Sequence, residues 1–415
     1  MINRGQAQAL DQADPLREFA DLFVVTDPNL IYLDGNSLGR QPGTAAGLVT
    51  AAMDRWADEL VGAWRSRWID LPRQVGAALA PLVGADPADV MITDQTTVNL
   101  YKLAAAAMTA RPERHDIITH AGNFPSDLYV LNSLAVTSGG ALRVVEHDSI
   151  DGVSADAIGH AVDDHVALVS LSHVDFRSGS IADLPRITDI AHEAGALVLW
   201  DLSHSVGVIP TDLKAAGVDL AVGCTYKYLN GGPGAPAFLY VSPDLQAEIV
   251  QPIQGWFGHE DMFAFDPTYS PAADIRRFAV GTPPILSLIA AGAGIDVTVE
   301  AGVAAIREKS MALTSLQMDL FDDQLATRGF ELATPRDPAK RGGHVSLSHP
   351  DAYRISRAMI EHGVIPDFRA PNVIRLGLSP LYTSFTHVWD ATRRLATLMD
   401  EGAHTRVEGD RTGVS

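Results

Sequence analysis

The chain has 415 residues, 47% of them hydrophobic, and a formal net charge of −20 at pH 7. That length suits two or three domains around a large core, and the acidic balance excludes a general role on nucleic acid or on a membrane surface. The single cysteine, Cys224, excludes an internal disulfide framework and fits a reducing cytoplasm.

The first stretch, MINRGQAQALDQADPLREFA, has no apolar block of the signal-peptide kind. No apolar run approaches the roughly 20 residues of a membrane span, so a cytoplasmic protein is expected. Residues 1–50 are expected to pack on a smaller domain or on a partner subunit. Short apolar strands then alternate with helices. DVMIT reads as a strand and QTTVNLYKLAAAAM as a helix; HDIITH is a strand and PSDLYVLNSLAV a helix. ALRVVE, VALVSLS, ALVLWD, VDLAVGCT and PAFLYVS follow as further strands. Between two of them, LPRITDIAHEAG carries Pro185 near its start and Gly195 at its end, the usual helix asymmetry. The pattern predicts an α/β domain over 51–285, with a mainly parallel sheet sandwiched by helices. After about residue 285 one long helical stretch, 286–329, leads to the alternating HVSLSH and to NVIRLGL. That predicts a smaller α+β domain over 286–415, ending in a frayed polar tail from Gly402. No solenoid or propeller repeat is present.

In open α/β sheets, ligands bind beyond the carboxyl ends of the strands, so polar residues that directly follow apolar strands are the candidates. Thr96 and Thr97 stand at a strand-to-helix junction, where unpaired amides and the helix dipole favour an anion; the plain alternative is a helix cap. Phe124 and Asp127 lie in NFPSDLY at the next such junction, with a core aromatic and a cap as the alternative. Asp201 ends the buried run LVLW, and His204 follows three residues later. A carboxylate there is costly unless it is paired with a cation or a metal, and no metal-ligand spacing supports the metal. Lys227 lies in GCTYKYLNGGPG, between Tyr226 and Tyr228. A lysine withdrawn from water becomes nucleophilic enough to form a Schiff base; otherwise it snorkels. Together these residues describe one ligand. It has an aldehyde for Lys227, a basic ring nitrogen for Asp201, a phosphate for Thr96 and Thr97, and a flat face for Phe124. That ligand is pyridoxal 5'-phosphate.

From YLDGNSLG at 32–39 to PLYTSF at 380–385, through NFPSDLY, LSHVDFRSG, WDLSHSVG, GCTYKYLNGGPG, GWFGH and RLGLSPLY, the chain resembles kynureninases. These belong to the aspartate-aminotransferase-like superfamily. The resemblance implies a pyridoxal-phosphate hydrolase of carbon–carbon bonds in ketones. It would cleave L-kynurenine to anthranilate and L-alanine, in tryptophan catabolism or on a route to NAD biosynthesis. It also implies a homodimer with shared active sites. By motif, Lys227 resembles the Schiff-base lysine and Asp201 the partner of the pyridine nitrogen. Thr96, Thr97 and Tyr226 resemble phosphate ligands, and Tyr226 is also a candidate proton relay. Phe124 resembles the residue stacked on the ring. Asp127, His204 and Ser172 resemble its neighbours. Trp256 and Thr282 look like contacts from the other subunit, and Arg375 like the binder of the substrate carboxylate, for which a rigid fork is suited. Relatives favouring 3-hydroxykynurenine carry polar residues where this chain has Trp64 and Thr282, so a preference for kynurenine is expected. The competing readings are a cysteine desulfurase, an aminotransferase and a non-enzymatic protein of the same fold. A desulfurase needs a cysteine on a mobile loop, and Cys224 stands in a strand.

Overall fold

The computed structural model describes residues 2–407. After the short β1 (Ile31–Tyr32), seven strands build the main sheet: β2 (Val90–Ile92), β3 (Asp116–His120), β4 (Leu142–Val145), β5 (Val166–Ser172), β6 (Leu197–Asp201), β7 (Leu220–Gly223) and β8 (Phe238–Val241). Their order is β2-β8-β7-β6-β5-β3-β4. The pairs among β4, β3, β5, β6 and β7 are parallel, while β8 is antiparallel to both β7 and β2. Two reversals leave β2 running the same way as β7, so the carboxyl ends of β2, β3, β5, β6 and β7 share one edge of the sheet.

Strands β6, β7 and β8 are buried along their whole length, as a sheet covered by helices on both faces requires. Successive residues serve opposite layers. Val198, Trp200, Ala221 and Phe238 enter one core, and Leu197, Leu199, Leu220 and Leu239 the other.

The second body is antiparallel. It contains β9 (Glu331–Leu332), β10 (His344–Ser348), β11 (Val364–Ile365), β12 (Asp367–Arg369) and β13 (Val373–Gly377), with sheet order β12-β13-β10-β9. The remaining strand, β11, pairs with β1, which ties the N-terminal segment to this body. The helix Arg4–Ala13 adds to the tie. Arg4 Nε donates to Asp390 at 2.8 Å, and Asp11 accepts the free amides of Phe385 and Thr386 at the start of the helix Phe385–Asp400. From β1 the chain runs on to the main sheet, where the Gly39 amide donates to the Tyr226 carbonyl at 2.8 Å.

Two expectations need correction. The stretch 286–329 is not one helix. Ile285–Ala301 and Val303–Leu320 meet at Gly302, whose φ of 77° suits glycine, and the paths of Ile285–Ala301 and Val303–Arg328 differ by 83°. Nor does the tail fray at Gly402: Ala403–Arg406 form a 3-10 turn with Ala403 and His404 buried. Residues 408–415 lie outside the described residues. Among those described, no single helix is long and apolar enough to cross a membrane.

Candidate active site

The shared carboxyl-terminal edge gathers the sequence candidates. Lys227 follows the buried strand β7, in the bend after it, and is half-buried. Its Nζ meets His204 Nε2 at 2.9 Å. With Nζ as donor, the His204 proton sits on Nδ1, which has no partner among the described residues. Burial, then the charges of Lys227 and Arg375, hold the His204 ring well below the ordinary histidine range. Tyr226 is half-buried beside it, its ring centroid 6.0 Å from Lys227 Nζ. The neighbouring Cys224, then burial, push the Tyr226 phenol up, so it keeps its proton. Cys224 is itself buried, which raises its thiol. A thiol there is a core group, not the exposed nucleophile a desulfurase needs.

Asp201 ends β6, and its Oδ1 accepts the Ser203 amide at 2.8 Å. Asp127 lies in the first turn of the helix Pro125–Thr137, buried, with Oδ2 unpartnered among the described residues. Neither Ser126 nor Asp127 caps this helix; the N-cap is Phe124, without a side-chain bond. The two carboxyls act on each other. Burial raises Asp127 well above the usual carboxylate range, the charge of Asp201 raises it further, and Lys227 opposes both. Asp201 is raised by burial and held back by Ser203 and Lys227. A buried acid pair of this kind calls for a cation. Ser172 stands level with Asp201 on the adjacent strand. Its Oγ donates to Asn123 Oδ1 at 2.7 Å, and the same oxygen takes the Phe124 amide at 2.8 Å. Asn123 thereby sets the turn that leaves Phe124 exposed, edge-on to Phe176 at 5.2 Å. Sequence reasoning missed Asn123, although it opens the NFPSDLY motif.

Thr96 and Thr97 are the first two residues of the helix Thr96–Ala110, behind an N-cap, Gln95, that makes no side-chain bond. They are not caps, and the amides of that turn lack a side-chain acceptor. The turn before them is pinned. Asp94, at φ 48°, holds the buried Lys102 at 2.5 Å, and Lys102 also donates to the Phe278 carbonyl at 2.7 Å.

Arg375 reaches the site from β13 and is 1% exposed. It pairs with Asp367, directly opposite on β12. Its Nη1 donates to the Phe176 carbonyl at 2.5 Å, and its Nη2 to Ser37 Oγ at 3.1 Å. Asp34 lies close by, raised to about 6 by burial and then by the Asp367 charge. Asp34, Ser37 and Asp367 were missed. The first two fall in the YLDGNSLG motif, whose strand reading carries no chemistry until the chain crosses between the two bodies.

Trp64, Trp256 and Thr282 come together elsewhere. With Val61, Arg65, Ile69, Phe257 and Phe263 they line a cavity of about 350 Å³. Trp64 packs edge-on to Trp68 at 5.5 Å and to Phe257 at 6.3 Å. Trp256 packs on Phe257 at 4.5 Å and stacks with Phe265 at 6.4 Å. No residue around Lys227 lines this cavity.

Residues 306–395 match the family model described as the kynureninase C-terminal domain. Over 408 residues the chain is 43% identical to a kynureninase of Pseudomonas fluorescens, covering 96% of each chain. The chain belongs to the kynureninase family. A kynureninase of Burkholderia pseudomallei strain K96243 is 42% identical over 409 residues, with 97% of each chain covered. Kynureninases are pyridoxal-phosphate-dependent hydrolases that cleave a carbon–carbon bond. The fold agrees. A cysteine desulfurase of Thermococcus onnurineus NA1 superposes with TM-score 0.77 at 19% identity, covering 95% of this chain and 98% of the other. The cysteine desulfurase CsdA of Escherichia coli gives 0.78 at 17%, covering 97% and 99%. The residues fit the family's cofactor. The acid pair Asp201 and Asp127, with an unpartnered oxygen, suits a cationic ring nitrogen. The uncapped turn at Thr96 suits a phosphate, the exposed Phe124 ring a flat heterocycle, and the Lys227 amine an aldehyde.

Proposed function

We propose that this chain hydrolyses L-kynurenine to anthranilate and L-alanine in tryptophan catabolism, as a homodimer in the cytoplasm, and prefers kynurenine to 3-hydroxykynurenine. One observation carries the reading. His204 contacts the Lys227 amine and feels the charge of Arg375, so one space holds a group for the substrate's amine and another for its carboxylate. The free thiol of Cys224 suits a reducing compartment.

Pyridoxal phosphate, when bound, supplies an electron sink for negative charge at the substrate's α-carbon. Thr96, Thr97 and Tyr226 would hold its phosphate, and Phe124 would stack on its ring. Asp127, Ser172 and His204 would border the ring, Trp256 and Thr282 would contact it from the second subunit, and Asp201 would keep its nitrogen protonated. Lys227 would anchor the group through its amine, and its free Nζ would serve as the base that takes the substrate's α-proton. Arg375 holds the α-carboxylate. Water adds to the γ-ketone, the bond between the β- and γ-carbons breaks, and anthranilate leaves with the carboxyl formed there. The electron pair of that bond goes to the β-carbon, where the Tyr226 phenol, which keeps its proton, donates that proton, and Lys227 Nζ gives the α-proton back to the α-carbon, which completes alanine.

The cavity of Trp64, Trp256 and Thr282 supports the assembly. Beside it the surface carries Val61 at 81% exposure and Phe265 at 76%, with Trp56, Leu60 and Phe263 also exposed. An apolar patch of this kind marks an interaction surface, and a second copy that covers it brings this cavity to the neighbouring Lys227. Val61→Asp with Phe265→Asp is expected to yield monomers in sedimentation and to lose most activity. A fully active dimer would overturn the assembly.

The same cavity supports the substrate preference. Trp64, Phe257 and Ile69 offer the aryl ring an apolar wall, while Thr282 has one short hydroxyl and Arg65 favours anionic acceptors. An added phenol there gains little and is poorly paired. The expected ratio of kcat/KM, kynurenine over 3-hydroxykynurenine, is on the order of tenfold. Equal values, or the reverse order, would refute the pocket argument and leave the anthranilate assay to judge the reaction itself.

A further inference from the structure

His344 opens β10, directly opposite Gly377 of β13, and Ser346 stands opposite Arg375. Residues two apart on a strand share a face, as do residues directly opposite, so His344 and Arg375 project from the same face of the small sheet. The His344 ring lies 5.9 Å from that of His204, which touches Lys227. It is fully buried, and neither ring nitrogen has a hydrogen-bond partner among the described residues. The Arg177 carbonyl is close enough to act on the ring but forms no bond with it, and Ser346 Oγ already donates to that carbonyl. Burial, then Arg375, then Lys227 hold the imidazole neutral, down to about 3.

A buried group with two unused polar atoms carries the desolvation cost of each, and native interiors rarely leave one without a purpose. Here the cost falls within reach of both the carboxylate-binding Arg375 and the amine-carrying Lys227. A neutral imidazole brings one N–H donor to such a place without adding a buried charge. We propose that His344 is a further substrate-binding residue, which donates a hydrogen bond to the α-carboxylate of the amino-acid head group beside Arg375. The inference rests on the kynurenine reading, because that substrate and its product alanine both carry the head group. Anthranilate lacks it.

The test uses the holoenzyme and two variants, His344→Phe, which fills the space without a donor, and His344→Ala, which empties it. L-Alanine binding is followed through the visible absorbance of the cofactor, and anthranilate through inhibition of turnover. Losing a hydrogen bond to a charged group weakens alanine binding by about tenfold or more, while the anthranilate inhibition constant stays within about twofold. That result in whichever variant keeps its cofactor and its melting temperature supports the assignment. Unchanged alanine binding, or equal losses for alanine and anthranilate, overturns it. The wild-type enzyme's release of anthranilate from kynurenine is measured in the same series, so a failure of the substrate reading is distinguishable from a failure of this one.

Discussion

Lys227→Ala is expected to eliminate anthranilate release and the visible absorbance of the lysine-bound cofactor together. Nζ is the amine of this edge that meets His204, at 2.9 Å, and the half-buried bend after β7 gives it room to move between anchoring and proton transfer. Removing a group that serves as both nucleophile and base costs at least about 10³-fold in kcat. His204 would then lose the partner of its Nε2 and keep an unpartnered Nδ1. The fold should survive, because the strands and both cores lie outside the bend. Circular dichroism identifies that case, and a folded variant that still releases anthranilate at the wild-type rate would sink the assignment of Lys227.

Asp201→Asn separates charge from shape. The amide oxygen can still accept the Ser203 amide, so the end of β6 keeps its turn. What disappears is the negative charge that holds a ring nitrogen protonated. Activity with saturating cofactor should fall by on the order of 10²–10³. Stability should move the other way. Burial raises Asp201, so its charged form is disfavoured in the fold, and Asp127 suffers from that charge too. A neutral amide removes both penalties. The melting temperature of the cofactor-free variant at neutral pH is therefore expected to equal or exceed that of the wild type. An unchanged turnover rate would mean that another acid serves the ring. A lower melting temperature without cofactor would mean that the carboxylate is structural.

The sequence by itself determined the α/β alternation, and with it the edge on which chemistry occurs. Apolar runs such as VALVSLS and LVLWD can be stable only as strands covered on both faces, and polar residues that close such runs must lie at their carboxyl ends. Thr96, Phe124, Asp127, Asp201 and Lys227 were legible for that reason, while Ser172 was legible only through its motif. Local pattern failed at Gly302, because a single positive φ turns the chain without interrupting the helical composition on either side. It also could not rank the histidines. His344 reads, with Ser346 and Ser348, as the polar half of an alternating strand, and its burial and unused nitrogens appear only when β10 and β13 stand against the loop of His204. Asp34 and Ser37 sit more than 300 residues from Arg375 in the chain and meet it because β1 pairs with β11. The association of Trp64 with Trp256 and Thr282, too, is a matter of distance across the fold. Burial and periodicity are local quantities that composition carries. The partner of a polar atom is set by packing between segments remote in sequence, and only the tertiary structure decides it.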